Sequence, residues 1–97
     1  MAQVKLFWTR LALADLIHAH DYIALENASS ASPVVERIEK SLENLSQHPD
    51  LGRLGRIKGT RELIVPGTPF VIPYRIHLER VEILAVLHGA RKWPGTL

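Results

Sequence analysis

A chain of 97 residues holds one domain with one modest core and is too short for two. Apolar residues make up 46% and charged residues 23%, a globular rather than a disordered balance. With no cysteine, disulfide frameworks and thiolate metal sites are excluded, and the apolar runs fall well short of the about 18 residues of a membrane span.

The net charge of +2 conceals an asymmetry. Residues 1–50 carry four basic and seven acidic side chains, whereas residues 51–97 carry eight and three. The second half therefore stands at +5 against −3 for the first, which points to an anionic partner for the second half. The start, Met1-Ala2-Gln3-Val4-Lys5, lacks the charged and apolar regions of a secretory signal, so a cytoplasmic location with no membrane partner is expected.

In chain order, Val4-Lys5-Leu6-Phe7-Trp8 alternates and reads as a short strand. Thr9 is a candidate N-cap for a helix whose apolar stripe is Leu13, Leu16, Ile17, His20 and Ile23/Ala24, with Asp15, His18 and Asp21 off the stripe. That helix is expected to fade at Asn27-Ala28-Ser29-Ser30. A second helix is expected from Ser32 as cap and Pro33 at the first helical position, burying Val35, Ile38, Leu42 and Leu45 and ending at Gln47-His48 before Pro49. Asp50 to Thr60, with three glycines among Arg53, Arg56 and Lys58, reads as a flexible basic loop.

Three strands follow: 61–65, 70–76 and 80–87, separated by Pro66-Gly67-Thr68-Pro69 and a turn near His77-Leu78-Glu79. Short connections imply antiparallel pairing, and Pro73, which has no N–H, demands a bulge or an unpaired side. The order β-α-α-β-β-β predicts a single α+β domain over residues 1–97, a helical hairpin packed on one face of a mainly antiparallel four-stranded sheet. The other face, with the basic loop and the C-terminal tail, is the expected location of a site.

The chemistry available there is cationic. Arginine offers a permanent planar fork to phosphate or carboxylate, and Arg61, Arg75 and Arg91 stand at strand ends. His88 carries an imidazole and is a candidate acid–base group in RNA cleavage, with Arg91 steadying phosphate charge. Glu62 and Glu82 read as ion-pair partners of the arginines. Trp93 is large enough to anchor a core or an interface. His18 and His20 are two apart, which separates them on a helix, and no metal or cofactor site is expected.

Trp8, Ala14-Asp15-Leu16, Asp21-Tyr22-Ile23, His48-Pro49 with Gly52-Arg53, Gly59-Thr60-Arg61-Glu62-Leu63, Tyr74-Arg75-Ile76 and the run from Val81 to His88 occur in the order seen in RelE/ParE toxins. The closing Gly89-Ala90-Arg91-Lys92-Trp93-Pro94 resembles the ParE-like branch. The resemblance covers nearly the whole chain. It implies a β-α-α-β-β-β fold and a type II toxin–antitoxin system whose antitoxin wraps and neutralises the toxin.

RelE-like members cut mRNA on the ribosome, whereas ParE-like members inhibit DNA gyrase. The nucleases carry lysines on the second strand and an arginine just ahead of the tyrosine-containing stretch of the third. Counting back from Tyr74, those positions here hold Glu62, Ile64 and Val71, and only Arg91 has a counterpart. The resemblance thus favours a ParE-like toxin that binds its target or antitoxin through Arg53, Arg56, Lys58, Arg61, Arg75, Arg91 and Trp93. The alternative is a RelE-like endonuclease using Arg61, His88 and Arg91, with ribosome and mRNA as partners.

Overall fold

The computed structural model describes residues 4–89 and Trp93. Strand β1 (Lys5–Trp8) leads into α1 (Arg10–Glu26) and α2 (Ala28–Gln47). Then come β2 (Arg53–Leu54), β3 (Arg61–Ile64), β4 (Phe70–His77), β5 (Arg80–Ile83) and β6 (Leu87–His88). The sheet runs β1-β5-β4-β3-β2, with β6 also on β4. All pairings are antiparallel except β1 with β5, which is parallel because the helical hairpin intervenes between them. The expected α+β order is present, but the described residues form six strands rather than four. Arg53 and Leu54 pair with Glu62 and Arg61, so the basic loop contains a strand, and the last strand is broken between Ile83 and Leu87.

Helix α1 is capped as expected, since the Thr9 hydroxyl accepts from the Ala12 N–H at 3.1 Å. The expected α1 stripe is displaced by one residue. Ala12 and Ala19 are buried, Leu16 and Ile23 pack beside them, and Leu13 and Ile17 face outward. Apolar residues surround this helix, so periodicity alone left its inner face ambiguous. The two alanines decide it by letting the backbone approach the sheet closely.

The start of α2 also differs. Asn27 is the cap, accepting from the Ser29 N–H at 3.2 Å, and Pro33 falls inside the helix as its sixth residue. The turn between the helices shrinks to one residue. Pro33 leaves the Ser29 carbonyl without its helical donor, a smaller loss near a helix start than in mid-helix. The far end is as expected, with His48 as C-cap ahead of Pro49.

Pleating assigns the faces. Leu63, Phe70, Ile72, Tyr74, Val81 and Ile83 point at the helices and join Ile38, Leu42 and Leu45 in the core. Each such buried side chain contributes about 1.5–3 kcal/mol of apolar transfer energy.

Pro73 has the effect its chemistry requires. Tyr74 pairs with Ile83 but Val71 pairs with Leu87, so residues 84–86 contain one extra residue, a bulge. Its freed backbone groups are satisfied from the start of the chain. Thr9 Oγ1 donates to the Leu84 carbonyl at 3.1 Å, and Asp15 Oδ2 accepts from the Val86 N–H at 3.0 Å. Asp15, placed off the apolar stripe by the sequence, is the clip holding α1 to the sheet.

Candidate functional site

The face turned away from the helices can be laid out from register. Glu62 lies between Arg53 and Pro73, and Ile64 lies beside Val71, which lies beside Leu87. Further along, Arg75 lies beside Glu82 and Glu82 beside Phe7, while Arg80 stands between His77 and Lys5.

Glu62 organises one end of this face. Its carboxylate is only 3% exposed and accepts from Arg53 Nη2 at 2.9 Å and Nε at 3.1 Å. It also accepts from the Arg56 N–H at 2.8 Å and Arg56 Nε at 3.3 Å. Burial by itself raises the pKa of this carboxyl, but the Arg56 N–H and the two guanidiniums outweigh it, so the net direction is down. The Arg56 guanidinium in turn lies 3.4 Å from the centre of the Trp93 ring, a close cation–π stack. Trp93 Nε1 is buried with no acceptor among the described residues.

At the other end, Glu82 accepts from Arg75 Nε at 2.6 Å, and that hydrogen bond holds its pKa down. Both glutamates are therefore ion-pair partners of arginines, as the sequence suggested.

The candidate strand-end cations are not brought together. Arg61 donates to the Gly52 carbonyl at 2.8 Å and lies 3.8 Å from the Asp50 carboxylate. His88 packs edge-to-face on Phe70, with ring centres 6.0 Å apart. Arg61 registers with Tyr74 and His88 with Phe70, on opposite flanks of β4. Four strand residues alone separate them by about 13 Å. Arg75 points to the face away from the helices, opposite to its neighbour Tyr74, because adjacent strand residues alternate. Lys58 is exposed in the turn before Thr60. Arg91 lies outside the described residues.

A cleft of about 290 Å³, not visible in the sequence, opens between α1 and the β4–β6 end. Asp15, His18 and Tyr22 of α1 line one side, and Phe70, His88 and Trp93 line the other. The only sequence sign of it was polar residues interleaved with the α1 stripe. The lining is mostly apolar with a few polar groups, the ordinary make-up of a small binding pocket.

A helical hairpin on a mainly antiparallel sheet, with a basic loop folded onto the sheet, matches known toxins. A family model described as the ParE toxin of the type II toxin–antitoxin system parDE matches residues 6–93. The chain is 41% identical over its whole length, and the whole of the relative, to a Sinorhizobium fredii protein named "Putative toxin Y4kP". It is 35% identical to the toxin RelE2 of Caulobacter vibrioides, over 94% of this chain and 99% of that one.

Among solved structures, the chromosomal ParDE toxin–antitoxin system of P. aeruginosa matches with a TM-score of 0.80 at 29% identity, covering 87% of this chain and 94% of that one. The toxin–antitoxin complex RelBE2 of Mycobacterium tuberculosis matches at 0.64 and 27%, covering 94% and 97%. The chain belongs to the ParE toxin family of type II toxin–antitoxin systems.

Proposed function

We propose that this toxin arrests growth by binding DNA gyrase rather than by cutting RNA, and that a cognate antitoxin neutralises it. The observation carrying the gyrase reading is the make-up of the open sheet face. The three positions at which RelE-type nucleases place phosphate-handling cations hold Glu62, Ile64 and Val71, all on that face. Two of them are apolar. The third is an acid whose charge is taken up by Arg53 and Arg56. These three positions supply neither a cation for phosphate nor an acid–base pair, which favours contact with a protein over cleavage of RNA.

The antitoxin partner is supported by the nature of the solved relatives, which are toxin–antitoxin complexes. The outward apolar side chains Leu13 and Ile17, one turn apart on α1, offer an apolar strip to a partner helix.

Purified toxin added to a gyrase supercoiling reaction should inhibit it, and added antitoxin should restore it. Undiminished supercoiling at saturating toxin, together with discrete cuts in translated message by primer extension, would replace this reading with the endonuclease.

A further inference from the structure

The turn between β4 and β5 departs from the local rules that the other turns obey. His77 pairs with Arg80, so Leu78 and Glu79 alone make the connection. Two-residue hairpins need a positive φ at one or both central positions and ordinarily place glycine, asparagine or aspartate there. Leu78 sits at φ 57°, the one non-glycine with positive φ among the described residues. In that region Cβ crowds the neighbouring carbonyl, so leucine is a poor local choice.

Burial does not offset the cost, because Leu78 is 82% exposed. Folding thus gains nothing from this side chain and is opposed by its backbone. Strain of this kind without a folding return marks a position kept for contact with something else.

The surroundings define that contact. Leu78 shares a shallow depression with Lys5, Phe7, Glu79 and Arg80, two cations against one acid, and Phe7 is itself exposed. The Arg80 guanidinium lies 5.0 Å from the centre of the Phe7 ring. Among the described residues neither Lys5 nor Arg80 makes a direct ion pair, although Arg80 acts on Glu82 through space. The tip is an apolar knob flanked by two cations without a direct ion-pair partner among those residues. A phosphate backbone would use the cations and leave the leucine in water. A protein pocket with an apolar floor and an acidic rim would use both.

We propose that Leu78 is the anchor of the target-binding surface, inserted into an acidic-rimmed apolar pocket of the protein that this toxin inhibits, with Lys5 and Arg80 pairing at the rim. The inference rests on the protein-binding reading above and names the surface that executes it.

The test compares the wild type with Leu78→Asn, Leu78→Met and Arg80→Glu in the supercoiling assay, alongside thermal denaturation of each toxin. Asparagine tolerates the left-handed region, so Leu78→Asn should melt no lower than the wild type. It should nevertheless require about tenfold or more protein for equal inhibition, as expected for losing a buried leucine anchor. Leu78→Met should keep most of the potency, and Arg80→Glu should lose it.

Equal potency of Leu78→Asn and the wild type would overturn the anchor and leave the gyrase reading standing. A wild type without effect on gyrase would remove that reading and the anchor with it. If the wild type is a dimer and Leu78→Asn an equally potent monomer, the knob joins two copies of this chain and the proposal fails.

Discussion

At the scale of single residues, two polar groups that would be liabilities alone hold the basic loop in place. The Tyr74 hydroxyl, on a fully buried side chain, donates to the Pro49 carbonyl at 2.7 Å and accepts from the Gly52 N–H at 2.9 Å. Burial raises its pKa, against the opposing pull of the Gly52 N–H, which keeps it a donor at neutral pH. Gly52 permits this approach, since a Cβ there would lie 2.6 Å from Tyr74 Cε1 and 2.9 Å from the Glu62 carbonyl oxygen. Glu62 is the second such group. Its folded pKa is depressed, so its stabilising contribution is present above the ordinary value of 4.5 and is lost as pH falls through the lower folded value. Glu62→Gln should cost about 1–3 kcal/mol at neutral pH, because two half-exposed guanidiniums lose their counter-charge. Urea denaturation of both proteins should show that gap closing as pH falls below the ordinary value of 4.5; a gap independent of pH would assign the loss to packing.

At the scale of elements, the bulge in the last strand explains how α1 is positioned. Pro73 cannot donate to its neighbour, the ladder slips by one residue, and Thr9 and Asp15 take up the groups set free. Asp15→Ala should leave the Val86 N–H unpaired in a part-buried setting and destabilise the fold by about 1–3 kcal/mol in urea denaturation. Hydrogen exchange should show the 84–88 amides opening faster while those of β3 are unchanged. A uniform rise across the sheet would instead make Asp15 a general surface contributor. The bulge was legible, because a proline within a strand permits few solutions. Its satisfaction by residues about seventy positions away was not, because side-chain capping of a distant backbone leaves no periodic signal.

At the scale of the whole molecule, the two helices cover one sheet face and leave an apolar strip of their own in water. Ile17 is 59% exposed, so Ile17→Asp removes no core packing and should leave the thermal midpoint within a few degrees of the wild type. It should weaken binding of the proposed antitoxin by about tenfold or more in a titration, since a carboxylate would face the partner's apolar side chains. Unchanged affinity would move the antitoxin to another surface.

The order of one strand, two helices and a closing meander, the burial of Ile38, Leu42 and Leu45 on α2, the Thr9 cap, the ion pairing of Glu62 and Glu82, and the family were legible in the sequence. These depend on local periodicity, turn chemistry and charge, which short windows of sequence carry. On α2, Val34 rather than the expected Val35 packs on the core, one helical turn before Ile38. Tertiary structure decided the inner face of α1, the partner of β1, the strand within the basic loop and the scattering of the cations. Arg61, Arg75 and His88 stand at strand ends in the sequence. Pleating and register nevertheless send one to the opposite face and hold the other two on opposite flanks of β4. A one-residue change in parity or pairing moves a side chain across the sheet, and only the packing of all the strands selects among those arrangements.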